Sequence, residues 1–145
     1  KMEEKGEEGE GKLSVLLKRE WAGAKGDFCV QHMNILADDY ANTSERGFPH
    51  ADPSILAWSY RLPLILEELD RGSDIIGLVE VDKYDDLLVP LSQRGYTGVY
   101  QSKFSDAKDG TAIFYRVDRW ELVGIRRCPL EEGRGQVCLL VALRE

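Results

Sequence analysis

Apolar residues follow strand-like and helix-like spacings in turn along the chain. Residues 28–33 form a short apolar stretch that predicts a strand ending at Asn34. A polar loop follows, over about residues 38–57. Apolar residues then recur every three or four positions, which predicts an amphipathic helix beginning near Ser59, where Pro63 falls in its first turn, and ending at Gly72. The opening pattern is therefore strand, long loop, helix.

The second part of the pattern begins with a nearly continuous apolar run, residues 75–81, which is typical of a strand buried on both faces. A second helix is predicted over about residues 84–94, with Pro90 indicating a kink or a late start. Short polar connections then separate four strands, as in an antiparallel meander. These strands cover residues 96–101, 111–116, 120–126 and 137–143. The predicted class is α/β, in the order β-α-β-α-β-β-β-β.

Composition divides the chain into a tail and one domain. Residues 1–12 are almost wholly charged residues and glycine, so residues 1–26 are predicted to be an acidic flexible tail and lead-in. Residues 27–145 form the predicted domain. With 145 residues, 43% of them hydrophobic, the chain is long enough to bury one core.

Charge and cysteine content narrow the function further. A net charge of −7 speaks against a general nucleic-acid-binding surface, but an acidic metal site can still act on nucleic acid. The three cysteines are too few and scattered for a disulfide framework or a zinc cluster, and their apolar surroundings predict free buried thiols. This favours an intracellular protein, cytoplasmic or nuclear. Neither a membrane span nor a secretory signal is predicted.

Two polar residues stand out at strand ends. Glu80 interrupts an apolar strand, where a carboxylate is costly unless it is paired or bound to a metal. Asn34 ends the first strand, and a helical crossover between the two strands predicts that they are parallel neighbours. Both residues would then lie at the sheet edge where α/β proteins bind ligands. The residues alone leave a plainer alternative open, namely that each begins an ordinary turn.

Five segments, in order, resemble the motifs of the endonuclease/exonuclease/phosphatase superfamily. Within it they are most similar to the deadenylase branch, which includes the carbon-catabolite-repression deadenylases, nocturnin, the Angel proteins and 2′-phosphodiesterase. The segments are Val30-Gln31-His32-Met33-Asn34-Ile35-Leu36-Ala37, Trp58-Ser59-Tyr60-Arg61, Asp74-Ile75-Ile76-Gly77-Leu78-Val79-Glu80-Val81, the set Pro90, Leu91, Gly95, Tyr96 and Gly98, and the run from Asp109 to Phe114.

The resemblance implies a fold and an activity. The fold would be the N-terminal half of a four-layer α/β sandwich. The parent protein would be a Mg²⁺-dependent phosphodiesterase, with Mn²⁺ as an alternative cofactor, and a 3′-to-5′ exoribonuclease on poly(A). Glu80 would be the principal metal ligand, and Asn34 would lie beside the metal and orient the scissile phosphate. Trp58 and Arg61 would brace the helix against the loop.

The sequence also departs from the family pattern. Met33 replaces an aromatic residue, and Val79 replaces a glutamine whose hydrogen bond would support the metal ligand. The motifs of the family's second half, Thr-His-Leu, Gly-Asp-x-Asn and Ser-Asp-His, do not occur in this chain. We therefore expect almost no turnover from the chain alone, which would need its missing C-terminal half. A degenerate interaction module, or an enzyme acting on a nucleotide or other small phosphoester, remains an alternative.

Further candidates have plainer alternatives beside them. His50, in the long loop, is a candidate for stacking on a base of an RNA or nucleotide substrate, although a plain surface loop explains it as well. Asp109 is a candidate on the substrate side, although a turn into a strand explains it more simply. Lys103 and Lys108 flank the loop before Asp109 and are interpreted as solvated. Finally, a bare inner sheet face predicts self-association or completion by the missing half.

Overall fold

The computed structural model describes residues 26–104, 108–130 and 135–145, so residues 1–25 of the predicted tail and lead-in over residues 1–26 lie outside the described residues. Within these ranges the chain forms six strands and three helices. The elements are β1 (Val30–Asn34), α1 (Pro53–Leu56), α2 (Trp58–Leu69), β2 (Ile75–Val81), α3 (Tyr84–Gln93), β3 (Tyr96–Ser102), β4 (Gly110–Arg116), β5 (Glu121–Pro129) and β6 (Val137–Arg144). The predicted α/β class and order are confirmed, with α1 as an addition inside the long loop.

The strands form two sheets. The larger sheet has the order β1-β2-β4-β3, with β1 parallel to β2 and β4 antiparallel to both of its neighbours. The predicted parallel pairing of β1 and β2 is thus confirmed. The predicted four-strand meander is wrong, because β4 inserts between β2 and β3, and β5 pairs only with β6 in a separate two-stranded sheet. The described residues therefore form two sheets where a single sheet was expected.

One face of the larger sheet is covered by α2 and α3. Ile76, Leu78 and Phe114 have no exposed surface and pack against apolar residues of both helices. Full burial of each such side chain contributes about 1.5–3 kcal/mol. A Cβ atom at Gly98 would lie 2.6 Å from the Phe114 ring and 2.7 Å from the Tyr84 hydroxyl. The glycine therefore permits the stacking of Tyr84 on Phe114 that closes this core.

The opposite face carries the β5–β6 hairpin. Leu139 of β6 is buried against Val99 of β3 and Tyr115 of β4, because alternate apolar residues of the hairpin point towards the sheet. The prediction that this face is bare is therefore wrong for the β3–β4 side. On the β1 side none of the described residues covers the face, and Val30 is 53% exposed.

Helix α2 begins at Trp58, one residue before the predicted start near Ser59, which therefore lies inside the helix. Pro63 therefore lies in the helix interior and not in its first turn, on the exposed side of the helix. Pro90 likewise lies inside α3, which begins at Tyr84 as predicted. The three thiols, predicted to be buried, are half-buried in the structure. None of the helices within the described ranges has the length and apolar character that a membrane crossing requires.

Candidate functional site

The carboxyl ends of β1 and β2 place Asn34 and Glu80 next to each other. The register between β2 and β4 shifts between Val79 and Val81, which leaves Glu80 as an extra residue in a bulge. Glu80 has a φ of 58°, in the left-handed region that a side chain with a Cβ rarely adopts. Such a conformation costs about 1–3 kcal/mol, and it persists where surrounding structure enforces it. The bulge turns this side chain out of the alternating pattern of the strand.

A hydrogen bond joins the two side chains. The Asn34 Nδ2 amide donates to Glu80 Oε1 over 2.7 Å. The Asn34 Oδ1 atom accepts from the Leu36 backbone N–H at 2.8 Å, and Leu36 is itself left-handed, with a φ of 60°. This second bond fixes the orientation of the amide, so that its NH₂ group faces the carboxylate. Asn34 therefore holds one oxygen of Glu80 in place.

The other oxygen of Glu80 has no partner. Oε2 is buried and makes no hydrogen bond to any residue that the structure describes. Buried carboxylate oxygens are rarely left in this state, because the loss of solvation is not offset. A cation is the natural partner for such an atom. Among the described residues no cluster of three or more acidic, histidine or cysteine side chains offers a complete metal site.

A cavity of about 250 Å³ opens beside Glu80. Glu80 and Val79 form one side, Lys103 and Asp109 form another, and Gln136 and Val137 at the start of β6 close it. The cavity thus brings Asp109 to the same space as Glu80. Its walls come from β2, from the connection between β3 and β4, and from the β5–β6 hairpin.

A Lys103–Asp109 ion pair lines the cavity and is built around the Asp109 carboxylate, which is only 3% exposed. Lys103 Nζ lies 2.7 Å from Asp109 Oδ2, and the Tyr40 hydroxyl donates to Oδ1 at 3.0 Å. Burial disfavours the ammonium charge, but the hydrogen bond and ion pair with Asp109, together with Tyr40, raise the pKa of Lys103 above its usual value. Lys103 is therefore held as a charged ammonium at the cavity that Glu80 also lines.

Comparison with known proteins identifies relatives with similar sequences. No protein-family model matches the chain. Carbon catabolite repressor protein 4 homolog 6 of Arabidopsis thaliana is 35% identical over 139 residues, which are 86% of this chain and 18% of that protein. Human protein angel homolog 2 is 31% identical over 134 residues, which are 90% of this chain and 24% of that protein.

The solved structures that match the chain come from the same group of proteins as these sequence relatives. The crystal structure of ANGEL2, a 2′,3′-cyclic phosphatase, in complex with adenosine-2′,3′-vanadate, matches with a TM-score of 0.73 and 28% identity. The human Nocturnin catalytic domain with bound sulfate matches with a TM-score of 0.63 and 32% identity. The chain belongs to the endonuclease/exonuclease/phosphatase superfamily.

Within this superfamily the relatives are those of the deadenylase branch, as the sequence motifs predict. The α/β fold with a mixed sheet is likewise the fold of the solved relatives. The match to ANGEL2 includes 81% of this chain but only 37% of the ANGEL2 chain. This chain spans about a fifth of the length of the curated relatives.

Arg61 holds the loop after β1 in place. Its guanidinium donates to the backbone carbonyls of Ile35, Leu36 and Leu56, and it forms an ion pair with Asp38 at 2.5 Å. The loop residues after β1 are thereby tied to the first turn of α2. Trp58 extends the same arrangement to α3, where its indole N–H donates to Asp86 at 2.8 Å. The predicted bracing of the helix against the loop is confirmed for Arg61, whereas the hydrogen bond of Trp58 braces α2 against α3.

The other sequence candidates differ in their positions. His50 is exposed in the loop, and the structure gives it no hydrogen bond or ion pair within the described ranges. Asp109 does make the predicted entry into β4, but it also holds Lys103 at the cavity. Lys103 was interpreted as solvated, and that interpretation is wrong, because the buried carboxylate of Asp109 draws it inward. Tyr40 was missed as a partner of Asp109, since 69 residues separate the two in the sequence.

Proposed function

We propose that this chain supplies the metal-binding part of a divalent-metal-dependent phosphodiesterase that acts on RNA ends or nucleotides. The observation that carries the proposal is the buried, unpartnered Oε2 atom of Glu80. Glu80 lines a cavity that Lys103 also lines. A carboxylate and an ammonium that line one cavity suit a bound metal and a phosphate, respectively.

The residues present fit Mg²⁺, with Mn²⁺ as the alternative ion. Mg²⁺ is bound in many phosphoryl-transfer sites through one or two carboxylates, with the remaining positions filled by water and phosphate. Glu80 would hold it through Oε2, while Asn34 keeps the carboxylate from rotating by holding Oε1. When bound, the ion would neutralise charge on the phosphate and polarise it towards attack.

Lys103 would contribute on the substrate side. Its side chain is 15% exposed, so the ammonium is partly desolvated, and Asp109 and Tyr40 limit its movement. A phosphate oxygen in the cavity would gain a charge-assisted hydrogen bond to an ammonium already in position. Asp109 would act through Lys103, since its own oxygens are occupied by Lys103 and Tyr40.

Two substrate classes follow from the relatives. Deadenylation of RNA 3′ ends is supported by similarity to carbon catabolite repressor protein 4 homologs. Hydrolysis of a 2′,3′-cyclic phosphate end is supported by similarity to ANGEL2, a 2′,3′-cyclic phosphatase. The net charge of −7 fits a short contact at an RNA end or a nucleotide better than a long basic track.

The first prediction concerns Glu80. Glu80→Gln keeps the shape of the side chain but removes its charge, so a chain extended through the rest of the domain should lose turnover by about 10²-fold or more. Activity should be measured with Mg²⁺ on poly(A), on an oligonucleotide ending in a 2′,3′-cyclic phosphate, and on a small nucleotide phosphoester. Glu67→Gln, an exposed change on α2, is the matched control.

The isolated chain offers a second measurement for the same substitution. Mn²⁺ binding, followed by the loss of its free-ion paramagnetic resonance signal, should weaken in Glu80→Gln and stay unchanged in Glu67→Gln. Full activity of the extended Glu80→Gln protein would show that Glu80 is not the metal ligand. Turnover of only one of the three substrates would decide the substrate class.

A further inference from the structure

Two of the three cysteines face each other across the β5–β6 hairpin. Cys128 of β5 is the direct register partner of Cys138 of β6 in an antiparallel pair. Both are free thiols and half-buried. Side chains of directly opposed residues project from the same face of a sheet, so the two sulfur atoms are neighbours. Cys29 precedes β1, in the other sheet.

The hydrogen-bonding pattern of the hairpin fixes the spacing of this pair. The Leu130 N–H donates to the Gln136 carbonyl at 3.0 Å, so these two residues form a hydrogen-bonded pair. Such pairs alternate along an antiparallel ladder, and the next pair, Pro129 with Val137, fits the non-bonded position because proline has no N–H. Cys128 and Cys138 then form a hydrogen-bonded pair, with Cα atoms about 5.5 Å apart.

That spacing permits a disulfide of a particular kind. Disulfides bridge Cα separations of about 4.4–6.8 Å, and the Cα spacing of this pair falls within that range. The Cβ atoms of a hydrogen-bonded pair lie further apart than those of an unstrained disulfide, however. Strained disulfides are easily reduced and are the reversible ones, in contrast to permanent structural bridges.

The pair is also open to reagents. Leu139, between Cys138 and Leu140, points towards the larger sheet and is buried. Because side chains alternate along a strand, Cys138 projects to the outer face together with Leu140, which is 53% exposed. The outer face of the hairpin is uncovered within the described residues.

We propose that Cys128 and Cys138 are a reversible redox pair that closes into a cross-strand disulfide by exchange with a small-molecule disulfide such as glutathione disulfide. The thiolate of one cysteine attacks the oxidant, whose S–S bond breaks and releases one reduced thiol. The second cysteine then attacks the mixed disulfide and releases the second thiol. The two cysteines lose two electrons, the oxidant gains them, and the two protons leave on the released thiols.

The disulfide would act on the wall of the Glu80 cavity. Val137 adjoins Cys138, and both Val137 and Gln136 line the cavity. The Gly135 carbonyl accepts a hydrogen bond from the Phe104 N–H at 3.1 Å, which ties this end of the hairpin to the end of β3. A covalent link between the strands would hold this wall in one position, whereas the reduced hairpin can open. The proposal rests on strand register and not on the proposed function.

Peptide mapping tests the proposal, because trypsin cleaves after Arg127, Arg134 and Arg144 and so separates the two cysteines. The reduced chain is incubated in glutathione buffers of increasing oxidised fraction, alkylated and digested. We expect residues 128–134 and 135–144 to remain joined through one disulfide, and to separate after addition of dithiothreitol. The tryptic peptide over residues 26–46, which contains Cys29, should be alkylated throughout.

Three variants serve as controls. Cys29→Ser should leave the linked peptide unchanged, while Cys128→Ser and Cys138→Ser should each abolish it. Glutathione retained on either cysteine as the end product, links to Cys29, or disulfide-linked dimers in place of the intramolecular link would overturn the proposal.

Hydrogen exchange provides a measurement that needs no variant. In the oxidised chain, amides over residues 135–138 and the Phe104 amide should exchange more slowly than in the reduced chain, by about tenfold or more. The amides of β1 should be unchanged. Equal exchange at the hairpin in both forms would show that the disulfide does not fix the cavity wall.

Discussion

Single residues at the site are held by polar contacts that span the chain. Glu80 is held by Asn34, Lys103 by Asp109, and the loop after β1 by Arg61. An arginine can satisfy several carbonyls and a carboxylate at once, because its planar group carries five donors in a fixed arrangement. The geometry of the cavity is therefore set by charged hydrogen bonds more than by apolar packing.

A hydrogen bond of the buried Tyr96 side chain makes the stability of the chain depend on pH in the alkaline range. Its buried hydroxyl donates to the Ser73 carbonyl, and burial, opposed by Arg116, raises its pKa above the usual value. The contribution of this group is complete below the pKa of the unfolded chain and is lost as pH rises through the folded pKa. The stability of the chain should therefore fall above about pH 10.

We expect Tyr96→Phe to lower the free energy of unfolding by about 1–2 kcal/mol at neutral pH, because the Ser73 carbonyl loses its donor. The difference from the parent chain should shrink at about pH 10.5, where the parent has the additional phenol of Tyr96 that ionises on unfolding. Urea denaturation at the two pH values measures both effects. Tyr60→Phe, at an exposed position, is the control, and a difference that stays constant with pH would contradict the argument.

The positions of single residues could be predicted from sequence where the signal was local. Asn34 and Glu80 were predicted to lie at the same sheet edge because each is a polar residue at the end of an apolar strand, and the structure brings them into contact. The Tyr40, Lys103 and Asp109 arrangement could not be selected, because it joins the long loop to the β3–β4 connection. No periodic pattern records such a contact, and lysines near turns are usually solvated.

Helices and strands could be predicted because burial of one face leaves a periodic pattern of apolar residues. This pattern is visible in the sequence of every described strand and of α2 and α3. The neighbours of β4 were not predictable, because both the edge of β2 and the edge of β5 could accept it. The separate hairpin buries Leu139 and its inward neighbours against the face of the larger sheet.

Pro63 allows a test of the shifted start of α2. In the helix interior it removes the hydrogen bond to the carbonyl of Ser59, four residues earlier. Pro63→Ala should therefore stabilise the chain by about 1 kcal/mol, after the greater freedom of the unfolded chain is subtracted. Thermal and urea unfolding measure the change.

Pro53 is the matched control, because it occupies the first position of α1, where no hydrogen bond is missing. Pro53→Ala should leave stability unchanged or slightly lower. If Pro63→Ala also destabilises the chain, the proline is accommodated as it would be in a first turn, and the helix begins later than Trp58.

For the whole molecule, the open side of the larger sheet is the dominant surface feature. β1 is an edge strand, and Val30 and Phe28 beside it are about half exposed. Exposed apolar edges pair with other chains unless charge or proline prevents it. We expect the chain to self-associate as its concentration rises. The association should be weaker than that of a chain with a fully exposed sheet face.

Val30→Lys should reduce this association by placing a charge on the edge strand. Static light scattering over a concentration series measures it. Val117→Lys, at a similarly exposed position in the turn after β4, should leave association unchanged. A parent chain that stays monomeric over the whole series would contradict the role assigned to β1.

The left-handed backbone at Glu80 has an evolutionary consequence. Glycine and asparagine occupy that conformation at lower cost, so the glutamate is retained against the preference of its own backbone. In a lineage that no longer needed the carboxylate, glycine at position 80 would be both harmless and stabilising. The identity of this one residue in descendants of the gene is therefore a record of whether selection still acts on the cavity.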